Sequence, residues 1–362
     1  MTTLEQTTAP KSTSTLSRAK LTPWAPWLVI VVATALASLI VLLGSWSWYA
    51  VPFLAVLFVI IGLPAWSAAI EGRRAAMDRL ATCLVWTSLL VALVPLVWVL
   101  TEVVLKGVPE LSLSFITHDM QQKLDPVTYK MAAGAGVAHA LVGTLLITAA
   151  ATVISVPVGL MTAVYLVEYG AKSRVARWTT LLVDVMTGIP SIVAGLFALA
   201  LFTLLFGNGT RSGLMGAVAL SLLMIPTVVR AGEEMMRLVP DDLREASYAL
   251  GVSKWRTIVK VVIPTAFGGI LTGVMLAVSR VIGETAPLLV AVGSLDLMNA
   301  NIFSGRMQTL PVYILTEYKK STPEDYNLAW AGALLLILIV MVLNLVARII
   351  SHVFAPPSNE RR

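Results

Sequence analysis

Arg280 and Glu284 stand four residues apart inside an otherwise apolar run, 265–293. On a helix that spacing puts them on one face. A charge at the centre of a membrane span costs about 2.5–3.5 kcal/mol on insertion scales, so Arg280 must face protein or a water-filled path. A guanidinium donates two parallel hydrogen bonds to two oxygens of one oxyanion. A carboxylate beside it would hold or release that anion. Two readings fit: the residues neutralise each other as a structural pair, or the pair opens when an anion arrives. Gly283 and Pro287 loosen this helix locally. A second break falls at Thr187-Gly188-Ile189-Pro190-Ser191. Either it is a tightly packed kink, or it bends along a path with Thr187 and Ser191 as neutral hydrogen-bond donors. Arg230 ends another apolar run and suits an interface anchor or a guide for an exiting anion.

Nothing else in the chain suggests covalent chemistry. His118, His139 and His352 lie far apart, and Cys83 is the single cysteine, so no metal cluster or disulfide is expected. No G-x-x-x-x-G-K-[ST] phosphate loop occurs, and no cofactor or metal is expected on this chain.

The elements that must position these residues are read from hydropathy. Of 362 residues, 57% are hydrophobic and 13% charged, against about 25% charged in soluble domains. Eight segments reach the roughly 20 apolar residues a span needs: 27–46, 49–69, 80–105, 136–167, 178–206, 213–230, 265–293 and 328–350. With the N-terminus inside, the inner segments hold 18 Lys and Arg and the outer ones 7. That asymmetry predicts a multi-pass protein of a prokaryotic plasma membrane with both termini cytoplasmic. The net charge of +6 therefore reflects inner loops, and no nucleic-acid partner is expected. The expected organisation is a disordered tail, 1–26, then a transmembrane hairpin, 27–70. A basic cytoplasmic linker follows at 71–79, then a six-helix core, 80–350, and a cytoplasmic tail, 351–362. Pro157 is expected to kink the long fourth span.

The inner loop 240–264 mixes charge with periodic apolar residues. Pro240-Asp241-Asp242 opens a helix, Gly251 interrupts, and Ser253 can cap a second helix. Glu245-Ala246-Ser247 is followed after three residues by Gly251, and nine residues later by Val261, then Ile263-Pro264. This spacing resembles the EAA loop of bacterial ABC importer permeases. Ser247 replaces the second Ala, Val261 an Ile and Ile263 a Leu. Further stretches are similar to phosphate importer permeases of the PstA and PstC type: Ser155-Val156-Pro157-Val158-Gly159, Gly188-Ile189-Pro190-Ser191, Ile225-Pro226-Thr227 and Ser279 to Leu289. Gly283-Glu284-Thr285-Ala286-Pro287 lies closer to the PstA type. The similar region runs over about 132–293 and leaves the hairpin 27–69 outside.

The resemblance implies an all-α integral membrane fold: a six-helix, type I-like importer core with an extra N-terminal transmembrane hairpin, eight spans in all. It implies a coupling loop whose Glu245, Ala246, Ser247 and Gly251 dock on a separate ATPase. The implied partners are a homologous PstC-like permease, two PstB-like ATPase subunits that hold ATP and Mg, a PstS-like extracytoplasmic phosphate-binding protein and membrane lipid. The binding protein would meet outer loops 106–135 and 294–327. Sulfate or molybdate is an alternative cargo, because the coupling loop does not encode cargo. An ATPase-independent secondary transporter and a non-transporting regulator are further alternatives.

Overall fold

The structure, a computed structural model, describes residues 21–120, 136–170, 173–320 and 322–354, and all its regular elements are helical. Most of the expected N-terminal tail, the loop residues 121–135, Lys172 and residues 355–362 of the C-terminal tail lie outside what is described. Among the described residues, seven helices are long and apolar enough to cross a membrane, and one sharply bent pair supplies an eighth span if counted as one. The chain divides into two compact units, Met1–Leu100 and Thr101–Arg362.

The first unit holds α1 (Ala25–Leu43), α2 (Ala50–Ile70) and most of α3 (Arg73–Gly107). Pro26 sits in the first turn of α1, where its missing N–H costs nothing. Ala25, Ala33, Ala37 and Val41 are its buried residues. They form a small-residue stripe of the kind that lets membrane helices approach closely. The linker expected over 71–79 shrinks to Glu71 and Gly72, because Ala75, Ala76, Met77 and Leu80 favour helix and α3 already begins at Arg73. Gly72 turns the chain with φ +95°, a conformation that favours glycine.

In the second unit, a short 3₁₀ turn and α4 (Leu113–Thr117) precede α5 (Ala138–Val164). α5 runs on through Pro157 without a break and ends in a π-turn, Tyr165–Tyr169. Then come α6 (Arg174–Thr187), α7 (Ser191–Phe206) and α8 (Gly213–Arg237). The inner loop forms α9 (Asp241–Ala249) and α10 (Lys254–Thr257). A second π-turn, Ile258–Val262, leads into α11 (Ile263–Val281), followed by α12 (Ala286–Ala291). The short α13 (Leu310–Lys320) and the long α14 (Pro323–Phe354) pack together. Thr322 and Asp325 start α14 as a reciprocal cap, with the Asp325 N–H donating to the Thr322 hydroxyl at 3.2 Å.

The core lies between α5 and α8, where Ile147, Ala151, Leu220, Met224 and Val228 are buried. Lipid is as apolar as these side chains, so close packing rather than escape from water holds them. Two expected spans are interrupted. The run 178–206 is two helices bent by 107° at Gly188-Ile189-Pro190. The run 265–293 stops at Val281 and resumes at Ala286. Pro287 begins α12 there rather than kinking a continuous helix.

One clasp in the first unit centres on Glu71, which lies between two spans. The Glu71 carboxylate accepts from the Ser67 hydroxyl and the Leu21 N–H, each at 2.7 Å, and from both arms of Arg79 at 2.9 and 3.1 Å. These bonds, Arg79 foremost, hold the carboxyl down to about 2 from its ordinary 4.5. A carboxyl lowered by folding stabilises fully above its unfolded value and loses that contribution as pH falls through its folded one. The difference in thermal midpoint between the wild-type chain and Glu71→Gln should therefore be greatest above pH 4.5 and shrink toward pH 2. A difference that does not change with pH contradicts the clasp.

Candidate functional site

The two helix breaks meet at one cavity. Its volume is about 190 Å³, and Thr187, Ser191, Thr227, Arg280 and Glu284 line it with four apolar side chains. At about 30 Å³ per liquid water it would hold roughly six water molecules. Four of the five residues expected on a substrate path are thus brought together, although Thr187 and Arg280 lie 93 positions apart in sequence. Thr227, the residue after Pro226 on α8, was not expected there; its membership of Ile225-Pro226-Thr227 was the available signal.

The arrangement follows from the breaks. Gly188 and Pro190 end α6 and redirect the chain, so that Ser191 becomes the first residue of α7. A helix start carries partial positive charge and unsatisfied N–H groups. The 16-residue α7 therefore opens with its positive end at a residue that lines the cavity. α7 and α12 pack tightly, since a Cβ on Gly195 would come within 2.7 Å of the Pro287 backbone. Gly283, in the second break, has nothing within 4 Å of its Cβ direction.

The charges at the site are unpaired. Among the described residues, no salt bridge or side-chain hydrogen bond joins Arg280 to Glu284, and neither has another such partner. The structural-pair reading therefore does not hold in this conformation. The break explains why: Glu284 follows the end of α11, so the four-residue helical spacing no longer aligns the two side chains. Thr187 also differs from expectation. Its hydroxyl donates to the Val183 carbonyl at 2.9 Å, as threonines in helices commonly do. It therefore presents acceptor lone pairs to its surroundings.

Arg230 does not line the cavity. It is tied to Asp184 of α6 and, at 3.0 Å, to Glu233. Glu233 is buried and also accepts from Arg237 at 2.6 Å. The guanidinium is neutralised on both sides, and it fastens α6 to α8. Arg211 donates to the carbonyls of Val290 and Ala291, which closes the C-terminal end of α12. His139 is fully buried and paired with Gln308. Met236 is buried against Ile258 and Val262, packing between helices of the same chain.

The second site is the loop 240–264. Gly251 takes φ +74°, the left-handed turn that lets α10 fold back from α9. Ser247 is buried and its hydroxyl meets that of Thr257 at 2.8 Å, which locks the two short helices together. The Ser253 side chain makes no capping bond; it is the Ser253 carbonyl that accepts from the Thr257 N–H at 3.0 Å. Glu245 and Ala246 are exposed. Around them Leu243, Tyr248, Leu250 and Trp255 are exposed too, with Leu250 84% accessible. The loop thus exposes an acidic group amid apolar side chains.

Arg244, which sequence reasoning missed, fixes this loop. It donates to Glu168 (3.1 Å), to the carbonyls of Val239 (2.6 Å) and Met236 (2.9 Å), and to Asp241 (3.0 Å). Lys254 adds a bond to the Glu168 carbonyl and lies 4.7 Å from the Tyr169 ring centre. Glu168 and Tyr169 belong to the π-turn that ends α5, so the loop 240–264 is held by the far end of the core helix.

This architecture of a broken-helix cavity and an exposed two-helix loop is that of a permease subunit in an ABC importer. The chain belongs to the family of binding-protein-dependent transport system inner membrane components, whose profile matches residues 155–357, and it is a multi-pass inner membrane protein. It is 49% identical over 282 residues to the phosphate transport system permease protein PstA 1 of Mycobacterium tuberculosis (strain ATCC 25618 / H37Rv), covering 78% of this chain and 89% of that one. It is 41% identical over 281 residues to PstA of Yersinia pestis, covering 77% and 92%. Among solved structures, the bacterial alginate ABC transporter in complex with an alginate pentasaccharide-bound periplasmic protein shares the fold. The TM-score is 0.55 at 11% identity, over 76% of this chain and 94% of that one.

Arg244 is 12% exposed and Glu168 6%. Removing one partner of so buried a pair costs about 3–5 kcal/mol. Arg244→Ala should therefore speed proteolysis within 240–253, while Arg244→Met combined with Glu168→Gln recovers part of the protection. Unchanged proteolysis of Arg244→Ala would show that the loop does not depend on this residue.

Proposed function

We propose that this chain is the phosphate-translocating permease subunit of an ATP-driven importer. The observation that carries the reading is the cavity in which an unpaired Arg280 meets the start of α7 and three hydroxyl or carboxylate side chains. The cargo is supported by relatives named as phosphate permeases at 49% and 41% identity. Broken helices whose positive ends face an anion, with the unwound segment lining a cavity, are a recurrent transporter device.

In this reading the chain pairs with a homologous PstC-like permease, and each coupling loop docks on one of two PstB-like ATPase subunits. A PstS-like binding protein delivers phosphate to the side opposite the coupling loop. Both termini face the cytoplasm. The chain performs no covalent chemistry and carries no cofactor; ATP and Mg belong to the ATPase. Glu245 supplies a charged acceptor to the ATPase, and Leu243, Tyr248 and Leu250 supply the apolar contact. The ATPase-independent alternative is disfavoured by a loop that is built, braced and left exposed without a partner. Sulfate and molybdate are disfavoured by the phosphate permease relatives.

The test is uptake of radiolabelled phosphate in cells with no other phosphate importer, at matched membrane expression. Arg280→Ala should lower uptake on the order of 100-fold, the loss of charge-assisted hydrogen bonds to the anion. Glu245→Ala should weaken retention of the ATPase on purification by at least tenfold, as for a central interface residue. Normal uptake by Arg280→Ala would remove the cavity from the path.

A further inference from the structure

Arg280 attracts any oxyanion, so it does not by itself separate phosphate from sulfate or molybdate. The same cavity, however, holds a carboxylate. Glu284 lines it without an ion-pair partner among the described residues. A carboxylate inside an anion site repels its own cargo unless that cargo brings a proton to share. An ionised carboxylate is an acceptor only. The Thr187 hydroxyl has given its hydrogen to the Val183 carbonyl at 2.9 Å and likewise offers lone pairs. The cavity thus combines donors, Arg280 and the N–H groups at the start of α7, with two acceptors, Glu284 and Thr187, while the Ser191 and Thr227 hydroxyls can act as either.

That donor–acceptor pattern matches one class of oxyanion. Phosphate keeps at least one O–H at every physiological pH, and arsenate does the same. Sulfate and molybdate carry none near neutrality and would set bare oxygen lone pairs against Glu284. We infer that Glu284 is the specificity-determining residue of this cavity, accepting a hydrogen bond from the O–H of a protonated tetrahedral oxyanion and excluding oxyanions that carry no proton. The inference rests on the reading of the cavity as the phosphate path. It adds a second filter inside the membrane, independent of any selection made by a binding protein.

Selection by a binding protein must be bypassed to see it. The assay is equilibrium binding of radiolabelled phosphate to the purified transporter in lipid nanodiscs without the binding protein, in competition with unlabelled arsenate and sulfate. For the wild type, arsenate should compete within a few-fold of phosphate and sulfate at least tenfold more weakly. Sites built to hydrogen-bond a substrate group discriminate strongly against analogues that lack it. In Glu284→Gln the amide can donate to sulfate, so the phosphate-over-sulfate preference should fall on the order of 10–100-fold. Glu284→Asp, which keeps the acceptor, should retain the preference. If labelled phosphate binds but sulfate competes equally with it in the wild type, the inference is overturned while the phosphate path stands. The same holds if Glu284→Gln keeps the full preference. If the wild type binds no phosphate, the parent reading itself falls. The wild-type comparison needs no variant, so misfolding of Glu284→Gln would leave it decisive.

Discussion

Peptide groups released at a helix break inside a membrane must be satisfied by protein or by water, and no lipid can do so. The second unit of this chain breaks two spans, at 188–190 and at 282–285, and places both breaks at the same polar cavity. Each break alone would be a defect; together they border a cavity of about 190 Å³ with a cation, hydroxyls and a helix start. The tight contact of Gly195 with Pro287 holds the halves that follow each break against one another. Arg211 then closes the far end of α12. The cavity is therefore a consequence of where backbone polarity can be tolerated.

The same constraint explains how a distant partner can act on the cavity. α8 is unbroken from Gly213 to Arg237. Thr227 lines the cavity, and ten residues later, about 15 Å along the axis, Arg237 leads into the coupling loop. Between them Arg230, itself held by Glu233 on the same helix, pins α6 to α8 through Asp184, so the segment that ends at the Gly188 break moves with this rod. Arg244 and Lys254 anchor the loop to the π-turn at the end of α5, the principal packing partner of α8. Movement imposed on Glu245 and its apolar surroundings is thus carried by two core helices rather than absorbed by a slack loop.

Legibility in the sequence followed the separation of the interacting residues. The coupling loop was readable because Glu245, Gly251 and Pro264 lie within one short stretch, and α9, the glycine turn and α10 form where their propensities place them. Arg280 and Glu284 were readable because charge is so costly in an apolar run. Their relation was not: a helical face was assumed across 282–285, where the helix stops. The break at Gly188-Ile189-Pro190 was visible as a break, but its 107° bend was not, since composition carries no angle. Contacts across long sequence separations were invisible. Arg244 reaches Glu168 over 76 positions and His139 reaches Gln308 over 169, and no local pattern announces either pair. Arg230 illustrates the opposite error: a basic residue at a span end fits the anchor rule, but Asp184 on another helix decides what it does.

The central claim is that the cavity lies on the translocation path and is driven by the coupling loop. Cys83 is the only cysteine, so a Cys83→Ser, Ser191→Cys chain carries one reporter thiol in the cavity wall. Its labelling by a membrane-impermeant thiol reagent should be measured from each side of the membrane, with and without ATP trapped on the assembled transporter. The account predicts labelling from one side without nucleotide, labelling from the other side with ATP trapped, and protection by phosphate. Labelling that is unaffected by ATP and by phosphate would contradict it.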